Sequence, residues 1–148
     1  MNKKIIIEIL VVIAVFAVLA IASWGSPKPS QTSINDQKAD KVEVFLFHAT
    51  QRCPTCIRIG QLAKATVEER FSEQLNSGKI EFREINIDLS ENKALAEKFR
   101  AGGSALFINA IKNEQDNITE DTMVWQLAGE TVKFKDYLSG KIWNLLTP

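Results

Sequence analysis

Apolar positions fall into three regimes along this 148-residue chain. Residues 1–24, MNKKIIIEILVVIAVFAVLAIASW, are apolar almost without a break after Lys3 and Lys4, and Glu8 is the single charge inside the run. About twenty such residues make a helix long enough to cross a ~30 Å hydrocarbon core. A buried core helix would show a polar face, and this segment has none. The leading lysines predict a cytoplasmic amino terminus, with residues 5–24 in the membrane and Trp24 at the far interface. Ala20-Ile21-Ala22 also has the small-x-small form of a signal-peptidase site, so a cleaved signal peptide ending after Ala22 is a second reading of the same run. Both readings put the rest of the chain on the extracytoplasmic side, tethered in the first case and secreted in the second. Residues 25–40, GSPKPSQTSINDQKAD, hold too little apolar surface to fold and read as a flexible linker. Such a chain spans roughly 20–25 Å on average.

From Lys41 to residue 148 the pattern is that of a folded domain. KVEVFLFHA (41–49) is β-branched and aromatic, apolar on both sides towards its end, and therefore predicts a central strand. From Pro54 to about Asn76, Ile59, Leu62, Ala63, Val67, Phe71 and Leu75 recur at helical spacing, and Gly78 closes that helix. KIEFREINIDL predicts a second strand, with a change of phase at Arg83-Glu84 that reads as a bulge. Ser90 caps a short helix to about Arg100 with Leu95 and Phe99 inward. SALFINAI predicts a third strand, NEQDN a turn, and DTMVWQLAG a fourth strand hairpin-paired with the third. Residues 131–146 predict a last helix, with Phe134, Tyr137, Leu138, Ile142 and Leu145 on one face. The order β-α-β-α-β-β-α predicts an α/β three-layer fold: a central mixed sheet of about four strands flanked by helices, two βαβ-type units with parallel pairing, and a closing antiparallel hairpin.

Composition narrows the function. Lys plus Arg and Asp plus Glu both number 18. A chain without net charge lacks the basic face that displaces counterions from nucleic acid. Two cysteines cannot build the disulfide scaffold of a small secreted domain. They stand as Cys53-Pro54-Thr55-Cys56, at the junction of the first strand and first helix. There Cys53 occupies the cap and Pro54 the first helical position, where a missing N–H costs nothing. The free amides of Thr55 and Cys56 and the positive end of the helix dipole favour a Cys53 thiolate, and the neighbouring charge of Arg52 pushes the same way. Cys56, one turn later, is more buried. That asymmetry suits dithiol chemistry, in which Cys53 attacks and Cys56 resolves. A metal site is poorly served, because zinc wants four ligands and the chain offers Cys53, Cys56 and His48. Copper(I) needs only two thiolates, so a soft-metal carrier stays open. His48, the only histidine, can shuttle protons or simply close the strand end with a hydrogen bond. Thr55 can tune the thiolate or merely tolerate the first helical turn. Asn117-Ile118-Thr119 matches a glycosylation triplet, which matters only in a eukaryotic secretory pathway.

With C-x-x-C opening the first helix of this β-α-β-α-β-β-α order, residues 41–147 resemble the thioredoxin superfamily. FHATQRCPTC, SGKIEFREINID, VWQLAG and FKDYLSGKIWNLL are similar to the bacterial nitrophenyl compound nitroreductase subunit family of the ArsF type. That resemblance implies a membrane-linked thioredoxin-like protein. It would exchange electrons with a redox protein partner, itself membrane-bound, in reduction of aromatic nitro compounds or arsenicals, with no cofactor beyond the dithiol of Cys53 and Cys56. Thioredoxins carry a cis-proline before the third strand, where this chain has Gly103-Ser104. They bury an aspartate six residues before the first cysteine, where this chain has Phe47, and Arg52 stands in place of a tryptophan. These departures point to one dedicated partner rather than general disulfide reduction. A non-catalytic adaptor is the remaining alternative.

Overall fold

The computed structural model describes residues 38–147. The anchor or signal of residues 1–24 and residues 25–37 of the linker lie outside the described residues. Among those described, no helix is long and apolar enough to cross a membrane. Ala39 and Asp40, read as linker from their composition, belong to the fold: Ala39 is buried, its amide donates to the Leu145 carbonyl, and the Asp40 amide donates to Ile111.

Strand β1 (Lys41–His48) is the centre of a four-stranded sheet, as its two apolar faces predict. Val42, Val44 and Leu46 point to one face, Phe45 and Phe47 to the other, and all five are buried. On one side β1 pairs parallel with β2 (Ile80–Asn86). On the other it pairs antiparallel with β3 (Ala105–Ile111), which carries the short edge strand β4 (Ile118–Glu120). The sheet order is β2-β1-β3-β4.

The mixed sheet was expected, but the second crossover differs. Helix α3 (Lys93–Phe99) does not return the chain to the start of the sheet, so β3 runs antiparallel to β1, with Ala105 opposite Phe47. Seven helical residues rise about 10 Å, less than half of the ~23 Å needed to travel back along a strand of seven. Helix α3 therefore only moves the chain from β2 to the far side of β1.

The first long helix is two. Helix α1 (Pro54–Arg70) stops at Phe71, whose φ of −136° and ψ of 31° leave the helical region, and α2 (Ser72–Asn76) follows. Phe71 turns its ring into the core, 5.3 Å from that of Trp143. Helices α1 and α5 (Thr131–Leu146) cover one face of the sheet with Ile59, Leu62, Val67, Phe134, Leu138 and Ile142. Helix α3 covers the other, where Phe45, Phe47, Phe99 and Phe107 meet mostly edge to face at 5.0–6.2 Å.

Two further expectations are corrected. The β1–β2 register runs without interruption from Val42–Ile80 to His48–Asn86, so there is no bulge at Arg83-Glu84. The two hydrophobic phases serve two faces: Ile80 and Phe82 pack under α1, while Ile85 and Ile87 pack under α3. The predicted fourth strand is a helix, α4 (Met123–Leu127). The buried positions in and flanking it, Asp121, Val124 and Ala128, are spaced three and four apart, and the Asp121 carboxylate accepts the Met123 amide. That side-chain bond gives the backbone an alternative to a ladder partner. The edge strand is instead Ile118–Glu120.

Candidate functional site

The site forms where β1 ends. The Ile87 amide bonds the His48 carbonyl, and the next residues are fastened to the end of β2. The Thr50 amide donates to Asp88 Oδ2 at 2.7 Å, the Asn86 side chain donates to Thr50 Oγ1, and the Asp88 amide donates to Asn86 Oδ1. The Thr50 amide, then its hydroxyl, hold the Asp88 carboxyl below the usual aspartate range, and the His48 charge adds to this. This loop delivers Cys53 to the amino end of α1 with its path already set.

Cys53 has extended backbone (φ −73°, ψ 155°) and caps α1, with Pro54 in the first turn. The Cys56 amide donates to Cys53 Sγ at 3.0 Å, and the Ile57 amide donates to the Cys53 carbonyl. The two sulfurs are bonded as a disulfide across Cα atoms 5.1 Å apart. Cys53 is exposed and Cys56 half-buried. An incoming thiolate therefore meets Cys53 first. When the bond is reduced, a Cys53 thiolate keeps the Cys56 amide and the positive end of a 17-residue helix beside it.

Of the supporting residues, Pro54 and Thr55 are exposed on the first turn. His48 is half-buried, and its Nδ1 lies 2.9 Å from the Ala49 carbonyl, a contact that places the proton on Nδ1. Arg52 is not the free charge that its place beside Cys53 implied. Its side chain runs beneath α1, where one terminal nitrogen donates to Glu84 Oε2 at 2.9 Å and the other lies 3.4 Å from the Cys56 carbonyl. Its Nε is buried without a hydrogen-bond partner. Gly60 makes the room: a Cβ there would stand 2.8 Å from the Arg52 guanidinium and 2.5 Å from Leu46 Cδ2. Farther along α1, Arg58 donates to the Ala128 carbonyl and Thr131 Oγ1, tying the second turn to the start of α5.

Glu84, Asp88 and Gly60 were missed. Strict alternation in β2 puts Glu84 on the same inward face as Ile80 and Phe82, and a carboxylate at an inward position was the available signal. Phe47, six residues before Cys53, turns away from α1 into the aromatic cluster, and Leu46 is the residue that faces α1. Glu84, directly across the ladder from Leu46, brings the carboxylate to that face. Among the described residues no group of three or more His, Cys, Asp and Glu is placed to hold a metal ion. A soft metal would have to use the two thiolates of the reduced pair. Every described peptide bond is trans, including those of Gly103-Ser104 before β3.

No family model and no curated protein matches the chain. Among solved structures, it is similar to a thioredoxin from Thermus thermophilus (16% identity, TM-score 0.43, covering 69% of this chain and 76% of that one). It is similar to a Fasciola hepatica thioredoxin (18%, TM-score 0.41, 69% and 82%). It is also similar to a thioredoxin-like protein from Clostridium perfringens (12%, TM-score 0.43, 78% and 90%). Likenesses of this size carry no information on activity, which has to be read from the site.

Proposed function

We propose that this chain is a thioredoxin-like thiol–disulfide oxidoreductase that works as an electron-relay subunit held at a membrane. The observation that carries the reading is the sulfur of the exposed Cys53, which accepts the Cys56 amide at the start of α1 and is bonded to a half-buried Cys56. In the reducing direction, the Cys53 thiolate attacks a partner's disulfide, forming one mixed S–S bond and expelling one partner thiolate. The Cys56 thiolate then attacks Cys53, restores the internal disulfide and expels the second. Two electrons leave the dithiol, and its two protons balance the two thiols formed on the partner. The apolar run of residues 5–24 supports a tether, with the domain on the extracytoplasmic side. The resemblance of FHATQRCPTC and SGKIEFREINID supports a membrane-bound redox partner serving reduction of aromatic nitro compounds or arsenicals.

The test is a C56S variant of the full chain expressed in its host. It is expected to trap a partner covalently through Cys53, released by dithiothreitol and absent from C53S/C56S. Equilibration of the wild-type pair with glutathione is expected to give a reversible potential between about −120 and −270 mV, the span of known dithiol carriers. A pair that stays oxidised below about −300 mV, as structural disulfides do, together with no trapped partner, overturns the reading.

A further inference from the structure

An ion pair beneath the active turn of a dithiol protein has consequences for the sulfur above it. Arg52 immediately precedes Cys53, and its guanidinium lies under the first turn of α1, against the Cys56 carbonyl. Its counter-charge comes from another element, Glu84 of β2, 2.9 Å away. Both side chains are partly withdrawn from water, at 19% and 35% exposure. Screening there is weaker than at a free surface. The guanidinium lies close under Gly60, where an added Cβ would stand 2.8 Å from a terminal nitrogen, and its Nε is buried without a hydrogen-bond partner.

We infer that Glu84 is a positioning residue for the dithiol: it locks Arg52 under α1 and, by cancelling its charge, sets how readily Cys53 exists as a thiolate. The inference rests on the thiol–disulfide reading for its functional meaning, but its physical content is a property of the reduced protein alone. The signs are fixed by electrostatics. Removing the Glu84 charge leaves Arg52 uncompensated, which favours the thiolate, stabilises the reduced form and makes the pair more oxidising. Removing the Arg52 charge leaves a lone carboxylate under the helix, which disfavours the thiolate and makes the pair more reducing. Removing both restores neutrality. The other charged or titratable groups around the turn are His48 and Asp88 at the strand ends and Arg58 on α1, and they are unchanged in every variant.

The experiment measures the Cys53 pKa in the reduced full chain in detergent, from the pH dependence of iodoacetamide alkylation, and the reduction potential, for wild type, E84Q, R52M and R52M/E84Q. E84Q is expected to lower the Cys53 pKa by about one unit and raise the potential by up to about 30 mV, the equivalent of a tenfold change for two electrons. R52M shifts both the opposite way, and the double variant returns to within about 0.3 unit of wild type. Loss of packing alone cannot produce opposite signs that cancel. Single variants that leave the pKa within about 0.2 unit, or that shift it in the same direction, overturn the inference. Should R52M not fold, E84Q, close to isosteric, and E84D, expected to stay near wild type, decide the matter by themselves. A wild-type pair that cycles without this pattern sinks the Glu84 inference alone. The pattern in a pair that does not cycle sinks the oxidoreductase reading alone.

Discussion

At Gly60 a single hydrogen atom decides what fits beneath the helix. Glycine inside an exposed helix costs about 1 kcal/mol relative to alanine, so Gly60→Ala should stabilise a helix that had nothing below it. Here the added methyl would press on the buried Leu46 and on the guanidinium of Arg52, and overpacking of this kind costs about 1–3 kcal/mol. G60A is therefore expected to lose about 1 kcal/mol net, read from the urea midpoint. Asp88 acts at the same scale. Its folded carboxyl titrates below the ordinary value of 3.8 because the Thr50 amide and hydroxyl bond it. A depressed acid stabilises the fold above its unfolded pKa and loses that contribution as pH falls through the folded value. The Thr50 amide resonance should thus hold its position from neutrality to about pH 4 and move only in more acidic solution. D88N should remove the titration, and a midpoint at or above 3.8 in wild type would contradict the assignment.

Among elements, α4 shows how a side chain can outweigh strand propensity. Met-Val-Trp-Gln-Leu reads as strand by residue type, yet Asp121, almost fully buried, sits at its entrance. Its carboxylate accepts the Met123 amide, the Tyr137 hydroxyl and the Lys141 ammonium. Burial pulls the Lys141 ammonium down, but the bond to Asp121 and its charge outweigh this and leave it above 10.5. Burial, then the Asp121 charge, raise Tyr137 above 10.0. Groups with raised pKa values contribute fully below their unfolded values and lose that contribution as pH rises through the folded ones. Stability should therefore fall above about pH 10 in wild type and much less steeply in D121N. At neutral pH, D121A is expected to cost about 2–3 kcal/mol, below the full penalty for a broken buried pair because Lys141 still reaches water. A loss under about 0.5 kcal/mol in thermal unfolding would show that α4 holds without this anchor.

At the largest scale, residues 38–147 form one sheet with two unlike sides. Helices α1 and α5 cover the side that carries the dithiol and the Arg52–Glu84 pair, and the aromatic cluster under α3 covers the other. Truncating Phe99 opens a cavity among three aromatic rings, and F99A is expected to cost about 3–5 kcal/mol. Because β1 lies between that cavity and the site, the Cys53 pKa in F99A should stay within about 0.3 unit of wild type. A larger shift, measured by alkylation in folded protein, would mean that the two sides are coupled through the sheet.

Several features could be read along the chain because they depend only on neighbours. Period-two and period-3.6 patterning placed β1, β2, α1, α3, β3 and α5, and Pro54 after Cys53 placed the sulfur at a helix start. These are local consequences of side-chain direction and of the proline ring. Strand direction is different. The antiparallel β3 follows from the distance a short helix can cover, and the break at Phe71 from where a ring finds space in the core. Met123–Leu127, inside the stretch read as a strand, became a helix because the buried carboxylate of Asp121 had partners on α5, sixteen and twenty positions away. The pairing of Arg52 with Glu84 needed two strands in register before it existed. The chain alone therefore determined β1, β2, β3, the first and last long helices and the short helix between β2 and β3, and the place where the Cys53 sulfur begins a helix. Tertiary structure decided the charge around that sulfur, because charges far apart in sequence compensate one another only when packing brings them into contact.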